Sequence, residues 1–178
     1  MSAIIADNYD KKYKHMKMNI KIDKIDYLNK NHARDLTFLL NKYACDKMGG
    51  GTPLGQNVLD NLAAELSKLP HAISIICYVD NKPAGLINCF EAFSTFYCKP
   101  LINIHDVMVL EEFRGLGLSH KMLTEVEKIA LSKGCCKLTL EVLSQNKVAK
   151  SSYKKYGFDD YSLNAETGHA LFWQKILN

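Results

Sequence analysis

The strongest candidate for chemistry is a strand, a glycine-bearing turn and a helix that follow one another over residues 107–120. An apolar strand ends at Val109, Gly115 and Gly117 interrupt the chain, and Leu118 opens a stretch with helical spacing. Backbone N–H groups and the positive end of a helix dipole converge where such a helix begins. Glycines let an anion approach the backbone because they carry no Cβ. The segment therefore predicts a phosphate or pyrophosphate site, with an ordinary glycine turn as the alternative.

Two common phosphate-binding patterns do not fit this turn. A P-loop requires Lys and then Ser or Thr after its last glycine, whereas Leu118-Ser119-His120 follows here. A dinucleotide fingerprint requires a third glycine and the first strand of a βαβ fold, and the sequence has neither. The sequence therefore disfavours hydrolysis of ATP or GTP and binding of a dinucleotide.

Hydrophobic periodicity predicts the elements that position the turn. A strand–helix–strand unit over 101–143 implies a parallel strand pair with a right-handed crossover, and a hairpin with its turn at 80–83 implies antiparallel neighbours. The predicted order is β-α-α-β-β-β-α-β-α-β-β, which favours an α/β fold with a mixed sheet and helices on both faces. Predicted helices cover 31–46, 58–69, 118–133 and 147–156, and six of the seven predicted strands cover 20–25, 72–79, 84–90, 101–109, 137–143 and 168–177.

Length and composition are those of one globular domain. The chain has 178 residues, of which 47% are hydrophobic and 24% are charged. We expect residues 1–17 to form a loose tail and residues 18–178 to form a single domain. The net charge is +4, but Arg34 and Arg114 are the only arginines, which argues against a nucleic-acid partner because base and phosphate readers depend on arginine.

The cysteines and histidines show no metal-binding pattern. Six cysteines lack CxxC spacing and six histidines are scattered, so we expect no metal and reduced thiols. No apolar run reaches the ~20 residues that span a bilayer, and the first 18 residues lack the apolar core of a signal peptide. The sequence predicts a cytoplasmic protein with no membrane partner.

Two motifs resemble the GNAT superfamily of N-acetyltransferases. Arg-x-x-Gly-x-Ser at 114–119 is similar to the family signature (Gln/Arg)-x-x-Gly-x-(Gly/Ala), from which Ser119 departs. Downstream, Leu-Glu-Val at 140–142, Asn146 and the segment from Tyr153 to Gly157-Phe158 resemble the family's later motif. The resemblance implies a GNAT-type fold with a central mixed sheet of about seven strands and helices on both faces, and it implies acetyl-CoA as the cofactor.

The resemblance also implies which residues hold acetyl-CoA. Asn146 would bond the pantetheine amides, with a plain helix N-cap as the alternative. The Arg114 side chain would add charge near the phosphates, or it is a solvated turn residue. The backbone of Val107, Met108 and Val109 would hold pantetheine like an added strand, and the amides of Arg114, Gly115, Leu116, Gly117, Leu118, Ser119 and His120 would hold the pyrophosphate.

Tyr153 occupies the position of the family's general acid, which would protonate the departing thiolate. The alternative is a packed aromatic side chain. A phenol with a pKa of ~10 is a weaker acid than a thiol near ~8.5, so we expect Tyr153 to orient the sulfur more than to protonate it.

The base that accepts the proton of the amine has two candidates. His105 and Asp106 stand where polyamine-type members of the family carry a Glu-Asp pair. We hypothesise that His105 is a base or proton relay, because its ordinary pKa of ~6.5 suits that task, and that Asp106 binds substrate. Glu141 is a rival base or substrate-binding residue, although a side chain that ties neighbouring strands is the favoured interpretation.

The sequence thus predicts an N-acetyltransferase that moves an acetyl group to a primary amine of a small molecule, polyamine or amino-acid-like, by direct attack in a ternary complex. A protein N-terminal or lysine acetyltransferase is one alternative, and a non-catalytic acyl-CoA-binding module is another. The glycines at 49–51 suggest a lid over the acceptor, with a plain connector as the alternative. Because dimers are frequent in the family, the resemblance also allows a homodimer.

Overall fold

Up to residue 156, the helices and strands follow one another in the order expected from hydrophobic periodicity. The computed structural model describes residues 18–161 and 170–177. The elements are β1 (Ile20–Lys24), α1 (Lys30–Cys45), α2 (Gln56–Ser67), β2 (Ala72–Val79), β3 (Lys82–Ser94), β4 (Lys99–Val109), a 3₁₀ turn (Glu111–Phe113), α3 (Leu118–Ser132), β5 (Leu138–Leu140) and α4 (Lys147–Tyr156).

The strands form one mixed sheet in the order β1-β2-β3-β4-β5. The first four strands pair antiparallel, and β4 pairs parallel with β5. The parallel pair requires a crossover, and α3 supplies it. The predicted mixed α/β architecture is therefore confirmed.

Both faces of the sheet are buried, which explains why its central strands are apolar throughout. Along β2, Ile73 and Ile75 pack in the core beneath α3, whereas Ile76 packs in the core beneath α1 and α2. The α3 core is completed by Met122 and Val126, each with no exposed surface. Helices on the two faces thus place the ends of α1 and α3 on opposite sides of β4.

The strand count differs from the prediction of about seven. The described residues contain five strands. Residues 170–177, where the last strand was predicted, have no regular secondary structure and are exposed, because their apolar side chains meet no sheet edge within the described residues. Residues 162–169 include the predicted start of that strand, and residues 1–17 were the predicted tail; both segments lie outside the described residues.

The β2–β3 hairpin turn is shorter than predicted. Asp80 and Asn81 have φ values of 49° and 64°, so two left-handed residues make the turn. This is the conformation of a two-residue hairpin turn, which Asp and Asn tolerate. Pro83 therefore lies in β3, opposite Tyr78, where the pairing is irregular.

Other described features bear on the predicted absences. Within 18–161 and 170–177, no group of three or more His, Cys, Asp or Glu residues could hold a metal ion. No helix in that part of the chain is long and apolar enough to cross a membrane. The six cysteines, all in described segments, are free thiols.

Candidate active site

A cleft opens where β4 and β5 part. The parallel pairing ends at Ile104 and Leu140, whereas β4 continues to Val109. On its other side β4 carries a β-bulge: Asn88 pairs with Asp106 and Cys89 with Ile104, which leaves His105 as the extra residue. A bulge bends its strand, so β4 turns away from β5 at His105.

The same divergence explains why β5 is shorter than the predicted 137–143. The alternation of polar and apolar residues marks an extended segment, but a strand also needs a partner. Beyond Leu140 the segment has lost β4, so residues 141–143 form no ladder. The split between two parallel strands is thus built by the bulge on one side and the early end of β5 on the other.

The part of β4 beyond the split offers free backbone groups. Leu110 N–H donates to Ala84 O (2.9 Å). Because backbone groups that face the same neighbouring strand recur every second residue, the N–H and C=O groups of Met108 also point toward β3. Val107 therefore presents its N–H and C=O groups, and Val109 its N–H group, on the open edge. An extended ligand with amide groups, such as pantetheine, fits this edge as an added strand.

The turn after β4 has the geometry of an anion site. Gly115 and Gly117 have φ values of 83° and 70°, which side chains other than glycine adopt with strain. Gly117 is the N-cap of α3, and no described side chain caps that helix, so its first N–H groups point outward unbonded. No described atom lies within 4 Å of a Cβ placed on either glycine. The space and the donors fit a pyrophosphate.

The Arg114 side chain makes two contacts within the protein. Its Nε donates to Val109 O (3.1 Å), and its NH2 group forms an ion pair with Asp46 Oδ2 (2.8 Å). Asp46 also accepts a hydrogen bond from Met48 N–H (2.8 Å). The bond from Met48 and, to a smaller extent, the bond from Arg114 hold the pKa of Asp46 below its ordinary value. Arg114 thus joins the turn after β4 to the end of α1.

The glycine segment after α1 is folded onto that helix. Gly49 and Gly51 donate their N–H groups to Asp46 O at 2.9 and 3.1 Å. A Cβ at Gly49 would overlap the Tyr43 carbonyl, so glycine is needed there for close approach. These bonds place the segment beside Arg114, and its action as a lid stays a prediction.

His120 links the two helices that flank the cleft. Its Nε2 lies 3.0 Å from both Ser152 O and Ser152 Oγ on α4, and its ring meets Tyr156 edge-on. Its predicted role used only the backbone N–H in the first turn of α3. The ring therefore has a separate role, which is to hold α4 against the start of α3.

Asn146 is the N-cap of α4. Its Oδ1 accepts from Ala149 N–H (3.1 Å), which is the bond of a plain cap. Within the described part of the chain, the Nδ2 group of Asn146 donates to no other group. Asn146 thus acts as a helix N-cap, which was the alternative considered from the sequence, and its side-chain amide group is left to contact a ligand.

Tyr153 lies on the second turn of α4, half-buried in the α3 core. Its ring meets Phe158 edge-on with centroids 6.0 Å apart. Burial, and then the nearby Tyr43 phenol, raise the pKa of Tyr153 to about 12. Tyr153 therefore keeps its proton at neutral pH, where its hydroxyl can donate a hydrogen bond but is a poor proton donor to a thiolate.

Tyr43 is a site residue that sequence reasoning missed. It lies near the end of α1, and its pKa is raised by burial and then by the charges of Asp106 and Asp46. The Tyr43 phenol therefore lies within electrostatic range of Asp106, and it also contributes to the raised pKa of Tyr153. The sequence signal was present but ambiguous, because Tyr43 follows Leu36, Leu39 and Leu40 on an apolar helix face.

The residues proposed for the acceptor lie on the α1 side of the sheet at the mouth of the split, which we call the acceptor side. His105 is exposed, and its ring meets Phe90 edge-on with centroids 5.8 Å apart. Asp106 accepts a hydrogen bond from Asn88 Nδ2 (2.9 Å). Glu141 accepts a 3.3 Å hydrogen bond from Asn103 Nδ2, as a side chain that ties neighbouring strands would.

Comparison with known proteins places this geometry in a family. The model of the acetyltransferase (GNAT) family matches residues 38–158. A thialysine N-epsilon-acetyltransferase of Bos taurus is 41% identical over 70 residues, which cover 39% of this chain and 41% of that protein. One of Caenorhabditis elegans is 26% identical over 125 residues, which cover 69% of this chain and 74% of that protein. The chain thus spans about two fifths of the bovine relative.

Solved structures share the fold. A probable acetyltransferase superposes with a TM-score of 0.72 at 18% identity, covering 88% of this chain and 99% of that one. Aminoglycoside N-acetyltransferase AAC(6')-Iy in complex with CoA superposes with a TM-score of 0.68 at 17% identity, covering 90% of this chain and 97% of that one. From the family match over more than half its length, the chain belongs to the acetyltransferase (GNAT) family.

Proposed function

We propose that this protein transfers the acetyl group of acetyl-CoA directly to a primary amine of a small, polyamine or amino-acid-like molecule. The observation that carries the proposal is the split after Ile104 and Leu140, whose open β4 edge leads into the left-handed glycines at the uncapped start of α3. The thialysine acetyltransferase relatives support an amino-acid-like acceptor.

In this proposal the chain holds acetyl-CoA by its backbone. The open edge at Val107 and Val109 would bind the pantetheine amides, and the N–H groups around Gly117 would bind the pyrophosphate. When bound, acetyl-CoA supplies the thioester carbonyl that the amine attacks. The Val109 N–H would polarise that carbonyl oxygen, and Tyr153 would donate a hydrogen bond to the departing sulfur.

The acceptor side would bind and deprotonate the amine. An amine with a pKa of ~10.4 is largely protonated at pH 7, and removing its proton costs roughly 4.6 kcal/mol. Asp106 would attract the ammonium, and exposed His105 would pass its proton to solvent. The reaction is proposed for the cytoplasm, where the six free thiols would remain reduced.

Calorimetry and thiol release test this proposal together. We expect acetyl-CoA to bind, and CoA release to depend on an amine when spermidine, lysine, thialysine and an alanine-terminated peptide are compared. Turnover of the peptide alone would favour a protein acetyltransferase. Binding without turnover of any amine, with no effect of Tyr153→Phe, would favour an acyl-CoA-binding module. No binding at millimolar acetyl-CoA would refute the proposal.

A further inference from the structure

A chain of hydrogen bonds crosses the sheet beneath α1 and ends at Asp106. The Tyr27 hydroxyl lies 2.9 Å from Ser74 Oγ, which lies 2.6 Å from Asn88 Oδ1, and Asn88 Nδ2 lies 2.9 Å from Asp106 Oδ2. Tyr27 precedes α1, and the other three residues come from β2, β3 and β4. The chain therefore runs along the α1 side of the sheet, from the segment before α1 to the acceptor side of the cleft.

The two middle members are among the most buried polar side chains of the described residues. Ser74 is 1% exposed and Asn88 is 4% exposed, and both lie among apolar neighbours such as Ile76 and Leu86. A hydroxyl and an amide in such a core cost stability unless they are hydrogen-bonded, whereas apolar residues of the same size would fill the space without that cost. The fold itself does not require this chain of polar groups.

The direction of every bond follows from the carboxylate at its end. Ionised Asp106 only accepts, so Asn88 must turn Nδ2 toward it and Oδ1 toward Ser74. Asn88 Oδ1 also only accepts, so Ser74 must donate its single hydroxyl proton there. Tyr27 must then donate to Ser74 Oγ. Burial raises the pKa of Tyr27, which keeps that proton in place at neutral pH.

We infer that Asn88, oriented by Ser74 and Tyr27, is a positioning residue that holds the Asp106 carboxylate in place for the amine acceptor. An amide passes no proton along such a chain, so the chain orients Asp106 and does not relay its proton. The remaining Asp106 oxygen is then available to the acceptor ammonium. This inference rests on the proposed function, in which Asp106 binds the acceptor.

Steady-state kinetics of Asn88→Leu test the inference, because leucine fills a similar volume without a donor. We expect the KM of the amine to rise about tenfold, the loss of one hydrogen bond to a charged group, and the KM of acetyl-CoA to stay within twofold. In an Asp106→Asn background the same substitution should add no further increase. Ser74→Ala and Tyr27→Phe should raise the KM of the amine by progressively less.

Tyr78→Phe is the matched control. Tyr78 lies on β2 and the same sheet face, and its hydroxyl donates to buried Asp35 (3.1 Å) instead of entering the chain. It should lower the melting temperature without changing either KM. An unchanged amine KM in Asn88→Leu, an equal rise in both KM values, or additive effects with Asp106→Asn would overturn the inference.

A spectroscopic measurement separates this inference from the proposed function. If the wild-type protein acetylates no amine, the proposed function fails, but the chain can still be tested by the ¹⁵N NMR signal of the Asn88 side-chain amide. We expect Asp106→Asn and Ser74→Ala to shift that signal and Tyr78→Phe to leave it unchanged. An Asn88 signal that ignores Asp106→Asn would overturn the inference in an active or an inactive protein.

Discussion

Replacing Tyr153 by phenylalanine tests how the departing sulfur is stabilised. The substitution removes one hydroxyl and keeps the ring against Phe158. A thiol has a pKa of ~8.5, so a phenol whose pKa is about 12 lies about 3.5 pKa units higher, and full proton transfer to the thiolate costs about 5 kcal/mol. Tyr153 should therefore act as a hydrogen-bond donor to the developing charge.

The expected loss of rate follows from that role. A hydrogen bond to a charged group contributes about 1.5–3 kcal/mol, which corresponds to a decrease in kcat of about 10- to 150-fold. The KM of acetyl-CoA should change little, because the bond forms as the sulfur leaves. Because the pKa is raised, titration of Tyr153 should produce no alkaline loss of activity up to about pH 10.

Thiol-release kinetics from pH 6 to pH 10 measure both quantities. Tyr156→Phe is the matched control, since Tyr156 lies one turn further along α4 and its hydroxyl donates to Glu127 Oε2 (2.8 Å). It should retain kcat within about threefold. A Tyr153→Phe protein with unchanged kcat would remove Tyr153 from the mechanism. An alkaline limb near pH 9 that disappears in this variant would refute the raised pKa.

Three further predictions concern the anion site, the loop contact and the core. Gly117→Ala should cost about 1–2 kcal/mol of stability because Gly117 has a positive φ, and it should weaken acetyl-CoA binding in calorimetry. The control is Gly134→Ala at the other end of α3, where φ is 69°. It should cost as much stability without affecting acetyl-CoA binding. Asp46→Asn should cost about 1 kcal/mol or less at pH 7 in urea unfolding. The pKa of Asp46 is lowered on folding, so this contribution is present above its ordinary value and disappears as the pH falls through the folded value. Met122→Ala should cost about 2–5 kcal/mol because the side chain is fully buried, whereas Leu131→Ala, 71% exposed on the same helix, should be nearly neutral by thermal unfolding.

Each of these predictions has a contradicting result. Equal losses of acetyl-CoA affinity in Gly117→Ala and Gly134→Ala would mean that the turn acts only through stability. A stability difference for Asp46→Asn that persists at pH 2 would contradict the assigned ionisation. A Met122→Ala protein as stable as the wild type would contradict the packing of α3 against the sheet.

Local sequence rules predicted most of the elements. The helix over 147–156 begins at a capping asparagine and ends at a left-handed glycine, so its bounds were predicted residue for residue. The strand over 72–79 was predicted with the same accuracy, because a short apolar run between Pro70 and a turn is typical of a buried strand. The glycine turn before α3 was also predicted, since Gly115 and Gly117 precede a helix with a clear period.

The errors came from features that depend on a partner strand. Residues 137–143 alternate like a strand, but the ladder ends at Leu140 because β4 bends away at His105. Nothing in the local pattern marks a bulge, since the extra residue is visible only when the opposite strand is known. For the same reason, the apolar residues 170–177 suggested a strand that the described sheet does not contain.

The sequence by itself determined the helices, most strands, the glycine turn before α3 and the family, because these follow from short-range periodicity, caps and motif spacing. Tertiary structure alone decided which side chains meet in the cleft. It brought Asp46, at the end of α1, to Arg114, placed Tyr43 within electrostatic range of Asp106 and Tyr153, and buried Asn88 against a carboxylate 18 residues away. The physical reason is that hydrogen bonds, ion pairs and pKa shifts depend on distances in space, which are set only when the sheet and helices pack.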